Sequence, residues 1–551
     1  MKIKKLKVVN FKKFNNHTFS FNDDVNIIVG DNNSGKSSIL EAIEIVSNYS
    51  YRGKPVTNSI LADIISIESI GKYLDSDKSF INLPVIKIEA FIDGLPEYKG
   101  SINTDNLDTQ GLSLTFSFDI ELLPTYEKFV EKNKDNISSI PIEFYKIEWL
   151  TFSNERIRHV SKPFKSLFID PTRLHPTFGK NQYISNILTS VLSREEQAVL
   201  GIKYRQLKES FNDDENVKHI NNDLDSNNDI SEKRIQIVAD ISGNSNLEAN
   251  LQLSLDGITL PYIGKGEQHK VQIKLALQNK SNDVDILLIE EPENHLSHMN
   301  LSSLVSFIEK KLTNKQLFIS THSSYVMNKL SINKICLLAN GYKKLNNIDS
   351  NTVKNLKRLP GYDTLRAVLS SKVILVEGPS DELLLKKYYY DKNSKLPEED
   401  GIDIIVVRGI GFKNYLEIVK HIDIQTKVMK DNDGNYEKNV KSYIDEYKEY
   451  NFIKIHSPIP DAQYSLEPML IETNSIDEDT LDKYAKIILS TQTNKLYKKN
   501  KNIADKVKFL KEWYKGEDGA GKKKVDSAIR IFDSEEKIIF PQVFEDVFNY
   551  E

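Results

Sequence analysis

Cysteine is almost absent from this chain: Cys336 stands alone among 551 residues. One thiol forms no intramolecular disulfide and holds no cysteine-based structural metal, so a reducing compartment, the cytoplasm, is the expected setting. No apolar run is long enough to cross a bilayer, and no membrane partner is expected. Met1 leads straight into a charged, strand-like segment rather than the apolar core of a secretion signal. An excess of positive charge is missing too. The net charge is -5 and the pI about 6.2, which excludes a uniformly basic coat for nucleic acid but leaves room for a basic groove.

What is present is a soluble-protein composition, with 39% hydrophobic and 28% charged residues, on a chain long enough for two or three domains. Near the start, Gly30-Asp31-Asn32-Asn33-Ser34-Gly35-Lys36-Ser37 fits the phosphate-binding loop. A short apolar strand, 25–29, precedes it, and Ser38 to Ile43 reads as a helix. Small residues let successive backbone N–H groups face phosphate, and the helix adds its positive end. Gly30, Asn32, Asn33, Ser34, Gly35 and Ser38 are the expected cradle. Lys36 would reach the β- and γ-phosphates, and Ser37 would ligate Mg²⁺. The cofactor implied is ATP with Mg²⁺ or Mn²⁺.

Far downstream, Asp285 to Ile289 reads as a buried strand ending in Glu290 and Glu291. Glu290 is expected to hold the metal through water and Glu291 to orient the attacking water. The strand Gln316 to Ser320 leads to His322, a candidate sensor of the γ-phosphate. Ile3 to Phe11 reads as an edge strand, and 85–92 and 112–118 alternate as strands. Ser193 to Phe211 has helical spacing, followed by a polar Asn- and Asp-rich stretch, 212–228, read as a turn or loose tip. A dimerisation arm and a solvated helix pair fit this insertion equally.

The last third carries a second constellation. Strand 373–376 ends in Glu377, and Gly378-Pro379 turns into a helix whose first turn holds Asp381 and Glu382. Further strands, 404–407 and 426–430, end at Arg408 and at Asp431-Asn432-Asp433. Alternating strands and helices predict a parallel sheet with ligands at its carboxyl edge. Glu377, Asp381, Asp431 and Asp433 are expected to converge there. So many carboxylates at one point imply Mg²⁺ or Mn²⁺, and two ions would suit phosphodiester chemistry. A helix-loop-helix calcium loop starting at Asp431 is excluded, because its twelfth position is Ser442.

The first set of motifs resembles the ABC-type ATPase head of the structural-maintenance and recombination-repair families. By that likeness, Ile263-Gly264-Lys265-Gly266-Glu267-Gln268 would be the signature loop of a head-to-head dimer, although the common Leu-Ser-Gly-Gly-Gln form is missing. The second set resembles the Toprim domain, and the order of the two is similar to the OLD (overcoming lysogenisation defect) family of ATP-dependent endonucleases, to which the Gabija anti-phage nucleases belong. The resemblance implies an α/β fold, an ABC-type P-loop ATPase head over 1–365 with a helical insertion at about 180–235, and a Toprim nuclease domain over 366–551. It marks Glu377, Asp381, Asp431 and Asp433 as metal ligands and Glu467 as a further acid. One of Lys522, Lys523 and Lys524 would be a catalytic lysine, Lys524 by preference. Lys430 stands where the family commonly has a small polar residue, a departure expected to alter local charge but to put no ligand in doubt.

The expected activity is ATP-regulated, metal-dependent cutting or nicking of DNA in anti-phage defence, with ATP either driving or restraining it. The expected partners are DNA, a second copy at least, a tetramer where arm and head make separate contacts, and a helicase subunit of the Gabija type. The rival reading is a DNA-bridging repair ATPase whose Toprim half binds metal without cutting. A topoisomerase or primase is disfavoured, as no nucleophilic tyrosine domain or template-binding module is evident. RNA as substrate stays open.

Overall fold

The computed structural model describes residues 1–52, 54–133, 136–158, 164, 166–170, 193–226, 236–237, 239, 254–278, 285–312, 315–339, 341–358, 363–408, 411–515 and 521–550. Two compact units share the chain. The first comprises Met1–His322 and Lys334–Tyr342, the second Ser323–Asn333 and Lys343–Glu551. The division at 342/343 differs from the boundary expected at 365/366. Local packing accounts for the stretch between them: Lys343 binds the Asp423 carboxylate at 2.7 Å, and the Asp349 N–H donates to Glu417 Oε1 at 3.0 Å.

In the first unit, β1 (Lys2–Phe11), β2 (Phe14–Ser20), β3 (Val25–Gly30) and α1 (Lys36–Asn48) come first. Then come β4 (Ile86–Asp93), β5 (Thr109–Phe118), β6 (Tyr145–Thr151) and β7 (Ser166–Ile169). Helices α2 (Arg194–Asp213), α3 (Glu215–Ser226) and α4 (Lys265–Gln278) precede β8 (Ile286–Glu290), β9 (Gln316–Ser320) and β10 (Ile335–Leu338). An antiparallel sheet runs β2-β1-β4-β5-β6. A parallel sheet runs β7-β8-β9-β3-β10. The strand expected at an edge, 3–11, is therefore interior, because Phe14–Ser20 returns as a hairpin and covers it. The apolar residues of β3 (Ile27, Ile28, Val29) are fully shielded, as a strand covered on both faces requires.

The insertion is more helical than expected. A capping box, Ser193 with Glu196, starts α2. Asp214 then accepts from Asn216 N at 2.9 Å and so starts α3 within the stretch read as a loose tip. Of the expected arm, 180–192 and 227–235 lie outside the described residues.

The second unit is built on β11 (Lys372–Val376), α5 (Pro379–Asn393), β12 (Ile402–Val406), α6 (Phe412–Val419), β13 (Gln425–Met429) and β14 (Ile453–His456). Helices α7 (Leu466–Thr473) and α8 (Gly521–Asp533) follow. Its four strands are parallel in the order β12-β11-β13-β14. The chain steps from β11 to one side and then back to the other. The switch point thus lies between the carboxyl ends of β11 and β13, where open α/β sheets bind ligands. Among the described residues no helix is long and apolar enough to cross a membrane.

Candidate functional site

In the first unit, the register pairs Ser320 with both Ile28 and Glu290, so the ends of β3, β9 and β8 come level. The loop after β3 closes on α1 through Gly35, whose φ is +102°. A Cβ there would meet Phe14 Cζ at 2.4 Å, so both backbone and space demand glycine. Gly30 is buried at the strand end, Asn32 and Asn33 form the exposed tip, and Ser38 is half-buried in the first turn of α1. Lys36 is buried and donates to the carbonyls of Gly30 and Asp31, each at 2.9 Å. Burial holds its ammonium below the ordinary lysine range, against the pull of Glu291, Asp31, Glu290 and Glu293. The Ser37 hydroxyl donates to Glu290 Oε1.

Glu291 takes a left-handed backbone (φ 41°), held by its N–H to the Ser320 carbonyl at 3.0 Å. One of its carboxylate oxygens faces His322 Nε2 at 3.5 Å, and the other accepts from Asn294 at 2.7 Å. Burial, with Lys36 nearby, lowers the His322 pKa, favouring the neutral ring. Among the described residues, Ser34 Oγ is buried without a hydrogen-bond partner. That orphan hydroxyl, the lysine and the helix start together suit a triphosphate. The loop read as a signature opens α4. Gly266 there lies so close to the His295 carbonyl that a Cβ would stand 2.2 Å from its oxygen.

Glu293 went unremarked in the sequence. Its carboxylate accepts from Thr321 Oγ1 at 2.9 Å and His322 N at 2.5 Å, fixing the end of β9. Burial raises its pKa. The sequence signal was there, a third carboxylate two residues after Glu291.

In the second unit, Val376 lies opposite Met429, which puts Glu377 and Asp431 at neighbouring strand ends. Pro379 opens α5, and Asp381 in that first turn accepts the Gly378 N–H at 2.9 Å. Desolvation pushes Asp381 up to about 7, aided by Glu377 and Glu467. Asp431 is pushed up to about 8, first by desolvation and then by Asp381, Glu377 and Glu467. Glu467, at the start of α7, accepts from Ser465 Oγ at 2.7 Å and pairs with Lys524 Nζ at 2.9 Å. Burial works against the Lys524 charge, but Glu467 and the aspartates outweigh it and raise its pKa. The neighbouring Lys523 turns away to the Trp513 carbonyl at 3.0 Å. Glu382 is engaged by Lys386 at 3.0 Å.

The structure thus brings Glu377, Asp381, Asp431, Glu467 and Lys524 within electrostatic reach. Asp433 departs from the expected convergence. Its side chain is 64% exposed, and its nearest cation is Lys430 at 4.0 Å. Buried Asn432 turns the chain there, donating to the carbonyls of Pro458 (2.8 Å) and Pro460 (3.0 Å), so residue 433 points outward. Lys430 also binds Glu377 Oε1 at 3.3 Å, which brings a positive charge to the end of β11. Among the described residues no three His, Cys, Asp or Glu side chains stand at metal-binding spacing. The donor set still fits a divalent ion: Asp381 and Asp431 repel each other in a desolvated place, and a hard cation relieves that repulsion.

Comparison with known proteins agrees with both halves. A family model described as "AAA domain, putative AbiEii toxin, Type IV TA system" matches residues 25–328. One described as "Overcoming lysogenization defect protein-like, TOPRIM domain" matches residues 368–433. The chain is 23% identical over 587 residues to "Endonuclease GajA" of Bacillus cereus (strain HuB5-5), covering 87% of this chain and 84% of that one. It is 22% identical over 480 residues to "Endonuclease GajA" of Bacillus cereus (strain VD045), covering 80% and 76%. A third relative, "DNA replication and repair protein RecF" of Clostridioides difficile (strain 630), is 24% identical over 366 residues, covering 58% of this chain and 91% of that one.

Proposed function

The chain belongs to the AAA-domain family matched over residues 25–328 and joins to it an OLD-like Toprim domain; on that premise we propose that it is an ATP-regulated, divalent-metal-dependent DNA endonuclease. The observation that carries this reading is the cluster at the β11–β13 switch point. There the mutually repelling Asp381 and Asp431 lie within reach of Glu377 and of the Lys524–Glu467 pair. That the two GajA relatives are endonucleases supports it.

Glu377, Asp381 and Asp431 would hold Mg²⁺ or Mn²⁺. The bound ion would polarise a phosphodiester and lower the pKa of a water. Lys524, oriented by Glu467, offers a fixed ammonium to the charge that grows on phosphorus. In the ATPase half, Lys36 and the loop N–H groups would bind the triphosphate, while Ser37, and Glu290 through water, would hold its Mg²⁺. Glu291 orients the attacking water, and His322, kept neutral by burial, reads the terminal phosphate. Nucleotide occupancy then governs access to DNA. The role is anti-phage defence in the cytoplasm, as a homodimer or tetramer with a helicase subunit of the Gabija type.

Plasmid cleavage with Mg²⁺ or Mn²⁺, with and without ATP, tests the proposal. Wild type should cut, Glu377→Ala should not, and Glu377→Ala should still hydrolyse ATP. Lys36→Ala should lose ATP hydrolysis. Cutting by Glu377→Ala at the wild-type rate would sink the site assignment, and the ATP comparison gives the sign of the coupling.

A further inference from the structure

Lys430 follows β13 directly, and its N–H donates to the His456 carbonyl at 3.0 Å, so sheet pairing fixes its backbone. Its ammonium lies 5.8 Å from the ring centroids of both Phe412 and Tyr443, and the side chain is only 12% exposed. The stem is therefore packed, and the charged end has few directions in which to point. It points at Glu377 Oε1 (3.3 Å) and lies 4.0 Å from Asp433 Oδ2. A second cation beside Asp381 and Asp431 would draw on those same two carboxylates.

We propose that the Lys430 ammonium takes the place of a second divalent cation, so that the Toprim site holds a single ion on the Asp381–Asp431 side. The inference rests on the metal-dependent reading above. A dication brought to the Glu377–Asp433 side would meet a fixed positive charge already bound to Glu377, and like charges at this spacing oppose each other. The ammonium also restrains Glu377 in a way a small polar side chain would not, because it contributes charge as well as a hydrogen bond. Lys430 is in this sense a positioning residue.

The test is the Mn²⁺ count of the full chain without nucleotide, by electron paramagnetic resonance titration. The variant Glu377→Gln/Asp381→Asn/Asp431→Asn/Asp433→Asn serves as the blank, and only ions lost in it are counted. Wild type should bind one such ion per chain, Lys430→Met two, and Lys430→Arg one. Two ions in wild type would overturn the proposal, as would equal counts in wild type and Lys430→Met. The wild-type count decides the matter even if Lys430→Met fails to fold. No difference between wild type and the blank would instead remove the metal reading of the site, and this inference with it.

Discussion

Single side chains decide how each strand end is presented. Glu293 acts on Lys36 only through its charge, yet it holds Thr321 and the His322 backbone through charge-assisted bonds. Glu293→Ala should cost about 3 kcal/mol, the scale for losing bonds to a charged group. It should also lower ATP hydrolysis on the order of tenfold by releasing His322, since small misplacements are expensive in catalysis. Urea unfolding and a phosphate-release assay check the two effects separately. Glu293→Gln should keep most of the stability. Asn432 acts in the same way in the second unit. Asn432→Ala strips the buried Pro458 carbonyl and the more exposed Pro460 carbonyl of their donor. It should cost about 2 kcal/mol and reduce cleavage without touching ATP hydrolysis. Glu293 stood in plain view beside Glu290 and Glu291, but a sequence does not say which of three carboxylates turns inward. Nor did it reveal that Lys430 would reach Glu377, since that contact joins two strands and depends on their register.

At the scale of elements, the strand–loop–helix of the phosphate site was readable because its constraints are local. Gly35→Ala tests this: the φ of +102° and the 2.4 Å approach to Phe14 leave no room. We expect loss of nucleotide binding and a clearly lowered melting temperature, readable by a fluorescent-nucleotide titration and differential scanning fluorimetry. The parallel sheet of the second unit was equally legible from its alternating strands and helices. Two local readings failed where a neighbour decided the outcome. Ile3–Phe11 has the pattern of an edge, but Phe14–Ser20 is polar enough to escape notice as its partner. The stretch after Phe211 is rich in Asn and Asp, which argue for turns, yet Asp214 spends that tendency on capping α3.

For the whole molecule, acid is the perturbation that reaches both units. His269 in the first unit and His456 in the second are each held down at about 4, chiefly by burial. Their unfolded values lie near 6.5. Between those limits these two groups bind more protons in the unfolded chain than in the native one, so their contribution to stability is full above about pH 6.5 and is lost as pH drops toward 4. Asp381 and Asp431, raised to about 7 and about 8, act with the opposite sign, so the histidine contribution is read as the difference between wild type and a histidine variant in thermal melts from pH 8 to 4.5. His456→Asn should flatten the second unit's share while leaving the first unchanged. Pairing of the two chemistries on one chain was visible from motif order alone. The interleaving of the two units was not, because it depends on where Ser323–Asn333 packs.

That interleaving bears on how the protein is made. Strand β10 pairs with β3, the strand that carries the phosphate loop. It is synthesised only after Ser323–Asn333, which belongs to the second unit. A chain released from the ribosome at residue 322 would have every residue of the phosphate loop but an open β3 edge, a template for pairing with other chains. The ATPase unit therefore completes its sheet late in translation. An expression product stopped at the apparent end of that unit should come out of the cell as aggregate.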